Sequence, residues 1–292
     1  MKSFATGLIF FVTACFCCVS QAQTLQWKLK KGQSISIESI NEMVTIVKLP
    51  DGSTQEMPMK QQVDTHWTVS DSDDTSFAVE TTIKRARTSM KSPFMNIDYD
   101  SDKEEPKDPV GKQIAASIKQ LIGVPILMKI GRQGKLMEMK LPESIQKLGS
   151  GPTNPVPSNF LESLTASSEQ LQIPEGEMTI GRKWEQTTKS NVNGMQTKAN
   201  VKYRYEGTVE EEGRKLAKFH TDITTELVQS PPGIEIALED TGSDGEIFFD
   251  VELGCISKAI QRQKFKMSMN VGGQKLSQDI EGSTTTIFRL AN

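Results

Sequence analysis

Mainly β, with α+β character only at the margin, is the fold class that this 292-residue sequence predicts, and two patterns predict it. Apolar residues recur at every second position over long stretches, and glycine-bearing turns separate the stretches. Alternation of this kind, one face apolar and the other polar, marks antiparallel strands with one buried face. The turns include Pro50-Asp51-Gly52, Asp71 to Asp74, Asn193-Gly194, Glu212-Gly213, Leu253-Gly254 and Gly272-Gly273. Asn-Gly and Asp-Gly steps supply the positive φ values that tight hairpins need. The expectation is therefore long antiparallel meandering sheets, in two similar β units or in one continuous curved sheet, with three short helices.

The chain opens on a segment that is not part of that fold. Met1 and Lys2 form a small charged start, Phe4 to Val19 is uninterrupted apolar or small, and Ser20-Gln21-Ala22 follows. This is the three-part layout of a secretory signal peptide, with small residues before the cut. It is short for a membrane span, which needs about 20 apolar residues, and no later stretch approaches that length. Val12-Thr13-Ala14-Cys15 resembles a lipobox, in which Cys15 would become a lipidated first residue. The leader it leaves is very short, so the expected mature chain starts near Gln23, extracytoplasmic in the periplasm or the medium, with anchoring at Cys15 the lesser alternative. Three of the four cysteines leave with the leader, and Cys255 alone remains. Losing Lys2 takes the net charge from −3 to −4, which argues against nucleic acid as a partner, since that needs clustered Lys and Arg.

In the first half, strands are expected at 33–48, 54–70, 76–90, 124–130 and 135–140. In the second they are expected at 182–192, 195–209, 214–228 and 246–252, followed by two long strands. Val63, Thr65, Trp67 and Val69 alternate against polar neighbours, as do Val201, Tyr203 and Tyr205. Helical spacing appears from Asp108 to Gly123, where Pro109 suits a first turn and Val110, Ile114, Ile118, Leu121 and Ile122 share a face. Pro142 to Leu148 spans two turns, and Asn159 with Glu162 has capping-box spacing before Leu164. Gly151-Pro152-Thr153-Asn154-Pro155-Val156-Pro157 reads as a stiff linker. The resulting organisation is a signal peptide over 1–22, an N-terminal β unit with a helical insert over 23–149, a linker with a short helix over 150–180, and a C-terminal β unit over 181–292. Both halves run strand, tight Gly turn, strand, acidic turn, strand, longer insert, and that shared order suggests a duplication.

Gly181-Arg182-Lys183-Trp184, Tyr203-Arg204-Tyr205-Glu206-Gly207-Thr208 and Gly245-Glu246-Ile247-Phe248-Phe249-Asp250 with Gly254 occur in that order. Upstream stand Trp27-Lys28-Leu29-Lys30-Lys31-Gly32 and Tyr99-Asp100-Ser101. Together they resemble a domain-of-unknown-function family of secreted planctomycete-type bacterial proteins, over nearly all of the mature chain. The resemblance implies export and a β fold, and it brings no activity, cofactor or catalytic residue. The Phe-Asp-x(3)-Gly hairpin is also similar to folds of bacterial lipoprotein carriers, where a curved sheet holds acyl chains.

No catalytic residue and no metal ligand is assigned. Gly-x-Ser-x-Gly and His-Glu-x-x-His are absent, and the two histidines, His66 and His220, alternate out of phase with their strands' apolar residues. Cys255 is expected to be a buried, inert thiol, and Ser144-Ile145-Gln146-Lys147 lacks the companion motifs of penicillin-recognising enzymes. Asp98, Asp100, Asp102, Glu104 and Glu105 crowd one loop but lack an EF-hand's glycine and terminal glutamate, so a solvated loop is the reading. Methionines at Met57/Met59, Met137/Met139 and Met267/Met269 share strand faces. Thioethers suit Cu(I), but they serve more often as adaptable apolar filling. The expected protein is non-catalytic and cofactor-free. Its expected partner is an apolar ligand or an envelope protein. A ligand would lie on an apolar face lined by Trp67, Phe77, Val79, Tyr203, Tyr205, Phe219, Ile223 and Phe249, under the 108–123 helix as a lid.

Overall fold

A computed structural model describes residues 23–49, 52–92, 96–143, 145, 171–192, 195–231, 234–271 and 274–291. In chain order the elements are β1 (Gln23–Thr24), β2 (Ser34–Lys48), β3 (Thr54–Ser72), β4 (Ser76–Lys91), β5 (Asn96–Asp100), α1 (Pro109–Lys119), β6 (Ile126–Gly131) and β7 (Leu136–Lys140). The second half contributes β8 (Glu177–Met178), β9 (Lys183–Val192), β10 (Met195–Glu211), β11 (Arg214–Gln229), β12 (Ile234–Glu239), β13 (Gly242–Asp250), β14 (Cys255–Val271) and β15 (Gln274–Ala291). β1 and β8 form a two-stranded sheet. The other thirteen strands form one sheet, ordered β7-β6-β4-β3-β2-β15-β14-β13-β11-β10-β9, with β5 beside β4 and β12 beside β14. The ladders between its strands are antiparallel; β4 pairs β6, β11 pairs β13 and β12 pairs β14 past one intervening strand, and β15 meets β2 across the whole chain.

That junction makes the large sheet continuous across the two halves, the second of the two arrangements expected. β2 and β15 pair from Ser34↔Ala291 to Lys48↔Ser277, fusing the halves into a single sheet. Each strand would otherwise present a long row of unpaired backbone groups, and pairing them removes two open edges at once. A correction concerns the helices. Among the described residues there is one, α1, not three. Asp108 caps it, its carboxylate accepting from Gly111 N at 2.7 Å, and Pro109 occupies the first turn. The 142–148 segment is described only at Pro142, Glu143 and Ile145, and 159–164 lies outside the described residues.

Local chemistry sets the hairpins. At the β3–β4 turn, the Asp73 carboxylate accepts from Thr75 N and Thr75 Oγ1 at 2.7 Å and from Ser76 N at 2.8 Å. These donors hold its carboxyl far below the usual range. At the β13–β14 turn, Gly254 takes φ +65° and a Cβ there would lie 2.6 Å from Lys28 N, so only glycine fits.

The core lies on one face of the large sheet, at the end where β2 begins. Residues 25–29 cross this end, with Leu25, Trp27 and Leu29 buried at alternate positions. Trp27 packs against Phe77 of β4 at 6.0 Å and Phe249 of β13 at 5.8 Å, joining the two halves. Its backbone N donates to Arg132 O at 2.8 Å, and Lys28 N donates to Gly254 O at 2.9 Å. The Arg132 guanidinium donates to the carbonyls of Trp27, Leu29 and Asp73 and to Ser72 Oγ. Leu171, Ile173 and Met178 complete the cover, with Ile173 N bonded to Gln133 O at 2.8 Å. Gly134, at φ +87°, lets its backbone approach Trp27: an added Cβ would sit 2.6 Å from the indole Nε1.

Candidate binding face

Because side chains alternate along a strand and opposed residues share a face, the inner face can be followed outward from the core. On β2 it carries Ile35 and Ile37, then Ser39 and Asn41, then Met43, Thr45 and Val47. On β15 it carries Phe288, then Thr286 and Thr284, then Ile280. On β14 it carries Ala259, then Gln261 and Gln263, then Phe265 and Met267. The face thus has three zones: an apolar base, a polar belt and a second apolar zone at the far end.

The predicted ligand-lining residues fall almost entirely in the base. Trp67, Phe77, Val79, Tyr203, Tyr205, Phe219 and Phe249 are each 3% exposed or less and belong to one cluster with Trp27. Tyr203 stacks on Trp184 at 5.1 Å, and Phe219 meets Trp184 edge-on at 5.7 Å. Gln23 Nε2 donates to the Tyr205 hydroxyl at 2.8 Å. Ile223 alone is half-buried, one step beyond Thr221 toward the belt. Helix α1 buries Ala115 and Ile118 against Ala86 and Tyr99, where β4 meets β5.

Open space borders the far end of the sheet, where Thr45, Val47 and Ile280 of the inner face are buried and residues of the outer face such as Val44 and Lys264 line the cavities. A cavity of about 910 Å³ is bordered by Met43, Met59 and Met90 together with Pro58, Arg262 and Gln263. A second, of about 920 Å³, is bordered by Ile46, Phe265 and Ile280. The two adjoin, sharing Val44, Gly242, Lys264 and Glu281. Ion pairs stand at their edges: Lys60–Glu42 at 2.6 Å, Arg262–Asp244 at 3.0 Å, Lys264–Glu281 at 3.4 Å and Lys266–Asp240 at 2.6 Å. Lys266 lowers the Asp240 pKa and is itself raised by it. Sequence reasoning paired methionines only within a strand. That Met43 opposes Met59 and Met59 opposes Met90 is a matter of register between strands, and no local pattern announces it.

The groups considered for chemistry are placed apart or occupied. Cys255 is buried, and burial followed by the nearby Asp250 charge pushes its thiol up to about 12. His66 is half-buried beside Gly32 and Leu290 in a space of about 480 Å³, and His220 sits 3.2 Å from Asp222. Asp100, in the acidic loop, is held by the Arg85 guanidinium at 2.5 and 2.9 Å, which lowers its pKa to about 2. The Asp100 carboxylate is therefore neutralised by arginine. Among the described residues no three His, Cys, Asp or Glu side chains are grouped to hold a metal ion. On the outer face, Lys218 bridges Glu246 at 2.6 Å and Glu206 at 3.4 Å over the Phe248 ring, and Arg204 meets Glu206 at 2.8 Å. No helix among the described residues is long and apolar enough to cross a membrane.

No family model matches the chain, and no curated protein matches it. No particular family of secreted planctomycete-type proteins is thereby identified. Among solved structures, the chain is similar to one titled for lipid–protein interactions in lipovitellin, at 11% identity and TM-score 0.45, over 91% of this chain and 26% of that one. The chain thus spans about a quarter of that structure's length. It is also similar to a putative exported protein with a YmcC-like fold from Bacteroides fragilis, at 8% identity and TM-score 0.30, over 92% and 100% of the two chains. DynF, from the dynemicin biosynthesis pathway of Micromonospora chersina, matches at 6% identity and TM-score 0.26, over 91% and 85%. These scores mark weak likeness, and no statement about ligand or activity rests on them.

Proposed function

We propose that this is an exported, non-catalytic protein that holds an apolar ligand, such as an acyl chain, at the far end of its large sheet. The observation that carries the reading is the pair of adjoining cavities of about 910 and 920 Å³, bordered by Met43, Met59, Met90, Phe265 and Ile280. Ligand pockets for small molecules occupy about 300–1,000 Å³ and are mostly apolar with a few placed polar groups. Methionine suits such a surface because its unbranched thioether side chain adapts to varied shapes. In this reading the sheet forms a curved groove, with Trp67, Phe77, Val79, Tyr203, Tyr205, Phe219 and Phe249 as its packed floor, Ile223 at the floor's edge and α1 as a flank. The organisation into two meandering β halves, 23–149 and 181–292, joined through 150–180, belongs to the same proposal. Export rests on the leader-like start, and intact-mass measurement of envelope-derived protein tests it. A chain beginning near Gln23 is expected, whereas a lipidated Cys15 would replace free export by anchoring.

Titration with a fluorescent fatty acid tests the binding. Saturable binding at micromolar probe is expected, weakening at least fivefold in Met59→Asp with the fold intact by circular dichroism. A second reading is favoured by the solid base, where seven apolar residues expected to meet a ligand are packed against Trp27 and its neighbours. It makes the protein a structural or interaction module of the envelope. Absence of saturable binding selects it.

A further inference from the structure

Three methionines stand side by side on adjacent strands. Met43 of β2 opposes Met59 of β3, and Met59 opposes Met90 of β4. Directly opposed residues in an antiparallel pair share a face, with Cβ atoms about 4.5–5.5 Å apart. All three are half-buried, and all three border the same cavity. The row is clear on one flank, where Gly282 opposes Met43, and closed on the other by buried Ile97, which opposes Met90. Met59 stands between the other two, so side chains of this length on the neighbouring strands are within reach of one ion. Met57, two residues along on the same face of β3, stands ready as a further donor.

We infer that Met43, Met59 and Met90 form a thioether site for monovalent copper. The donor set decides the metal class. Soft, neutral sulfurs select Cu(I) over zinc, calcium or magnesium, and among the described residues no His, Cys, Asp or Glu cluster offers a competing harder site. Thiolates and imidazoles must lose a proton to bind metal, whereas a thioether has none to lose. Binding at this row is therefore independent of pH through the mildly acidic range. No redox step is involved, because the metal is bound as Cu(I) and released as Cu(I). The inference stands apart from the apolar-ligand reading, since leucine in place of methionine keeps the apolar surface and removes only the sulfur.

The test is anaerobic titration of the mature protein with Cu(I) under ascorbate, in competition with bicinchoninate. One Cu(I) per chain is expected, with sulfur-only coordination in X-ray absorption. Met43→Leu, Met59→Leu and Met90→Leu should each weaken Cu(I) binding at least tenfold with the circular dichroism of the parent retained. Met137→Leu, at an exposed position on β7, should leave Cu(I) binding unchanged, and so should lowering the pH from 7.5 to 5.5. If the chain takes no Cu(I) from the competitor, or if the three leucine variants bind it as the parent does, the site does not exist. Single substitutions of similar volume are well tolerated, so the variants report on ligation rather than on folding.

Discussion

The base and the far end of the large sheet are built from the same strands, yet they are finished differently. At the base, the inner face is covered by residues 25–29 and 171–178, and the large side chains beneath are almost wholly buried. At the far end, the same strands carry Met43, Met59 and Phe265 at half-buried positions bordering open cavities, with Thr45, Val47 and Ile280 buried among them. Between the two lies a belt of Ser39, Asn41, Gln61, Gln261, Thr284 and Thr286. Alternation therefore makes a face apolar, but what crosses over it decides how completely that face is buried.

The sharpest way to break this comparison is to open the base. Trp27→Ala removes the ring that touches both Phe77 and Phe249. A loss of about 3–5 kcal/mol is expected from the emptied volume, read by urea unfolding. A loss under 1 kcal/mol would mean that the two halves are held together elsewhere. Cys255 provides a second readout in the same variant. Its buried thiol should be nearly inert to alkylation in the parent and should react faster once the base loosens.

A smaller effect is expected at Gly254. Gly254→Ala forces a Cβ toward Lys28 at a positive φ, costing roughly 1–3 kcal/mol. Comparing its unfolding midpoint with that of Gly52→Ala, whose added Cβ meets nothing within 4 Å, separates the close approach from backbone strain alone.

Smaller again is the Arg85–Asp100 pair, which ties β5 to β4 at the border between the two regions. Asp100 is 7% exposed and Arg85 29% by side chain, so Asp100→Asn should cost about 1.5 kcal/mol at neutral pH, the low end for a charge-assisted hydrogen bond. The sign with pH follows from the depressed pKa of about 2 against about 3.9 unfolded. The pair's contribution is present above pH ~4 and lost as pH falls toward 2. Unfolding curves of parent and variant should converge across that window, and a constant gap there would show that the pair is not what the substitution removes.

The smallest effect belongs to the far end. Val228, 60% exposed on β11, should accept Val228→Ser within about 0.5 kcal/mol. A larger loss would mean that the far end is packed against something and is not an open surface.

Much of the fold was legible because its information is local. Period-two runs placed the long strands within a few residues of their bounds, and Asp108-Pro109 marked the start of α1. β5 and β12 were missed, since Asn-Ile-Asp-Tyr-Asp and Ile-Glu-Ile-Ala-Leu-Glu are short and sit among turn-rich or proline-containing residues. The joining of β15 to β2 was also missed, because nothing near either strand names its partner. The surroundings of the candidate residues were not legible in the sequence. Trp67 and Phe219 were rightly marked as inward-facing, but only tertiary structure reveals that Trp27 lies over the core they share. Likewise, Met59 is visible as one of a pair in sequence, whereas its neighbours Met43 and Met90 come from other strands.

The junction of β2 with β15 also constrains how the molecule is assembled. An Arg289–Glu38 contact across it links residues 251 positions apart, so the middle of the sheet is closed by the longest loop in the chain. Hairpins within each half can form early and cheaply, but contacts of this separation come late and slowly. Until residues 274–291 arrive, β2 and β14 each expose a long backbone edge that invites pairing with another chain. The last strand is thus a zip fastener: a chain interrupted before it is a pair of sticky half-sheets, and its arrival turns them into one closed seam.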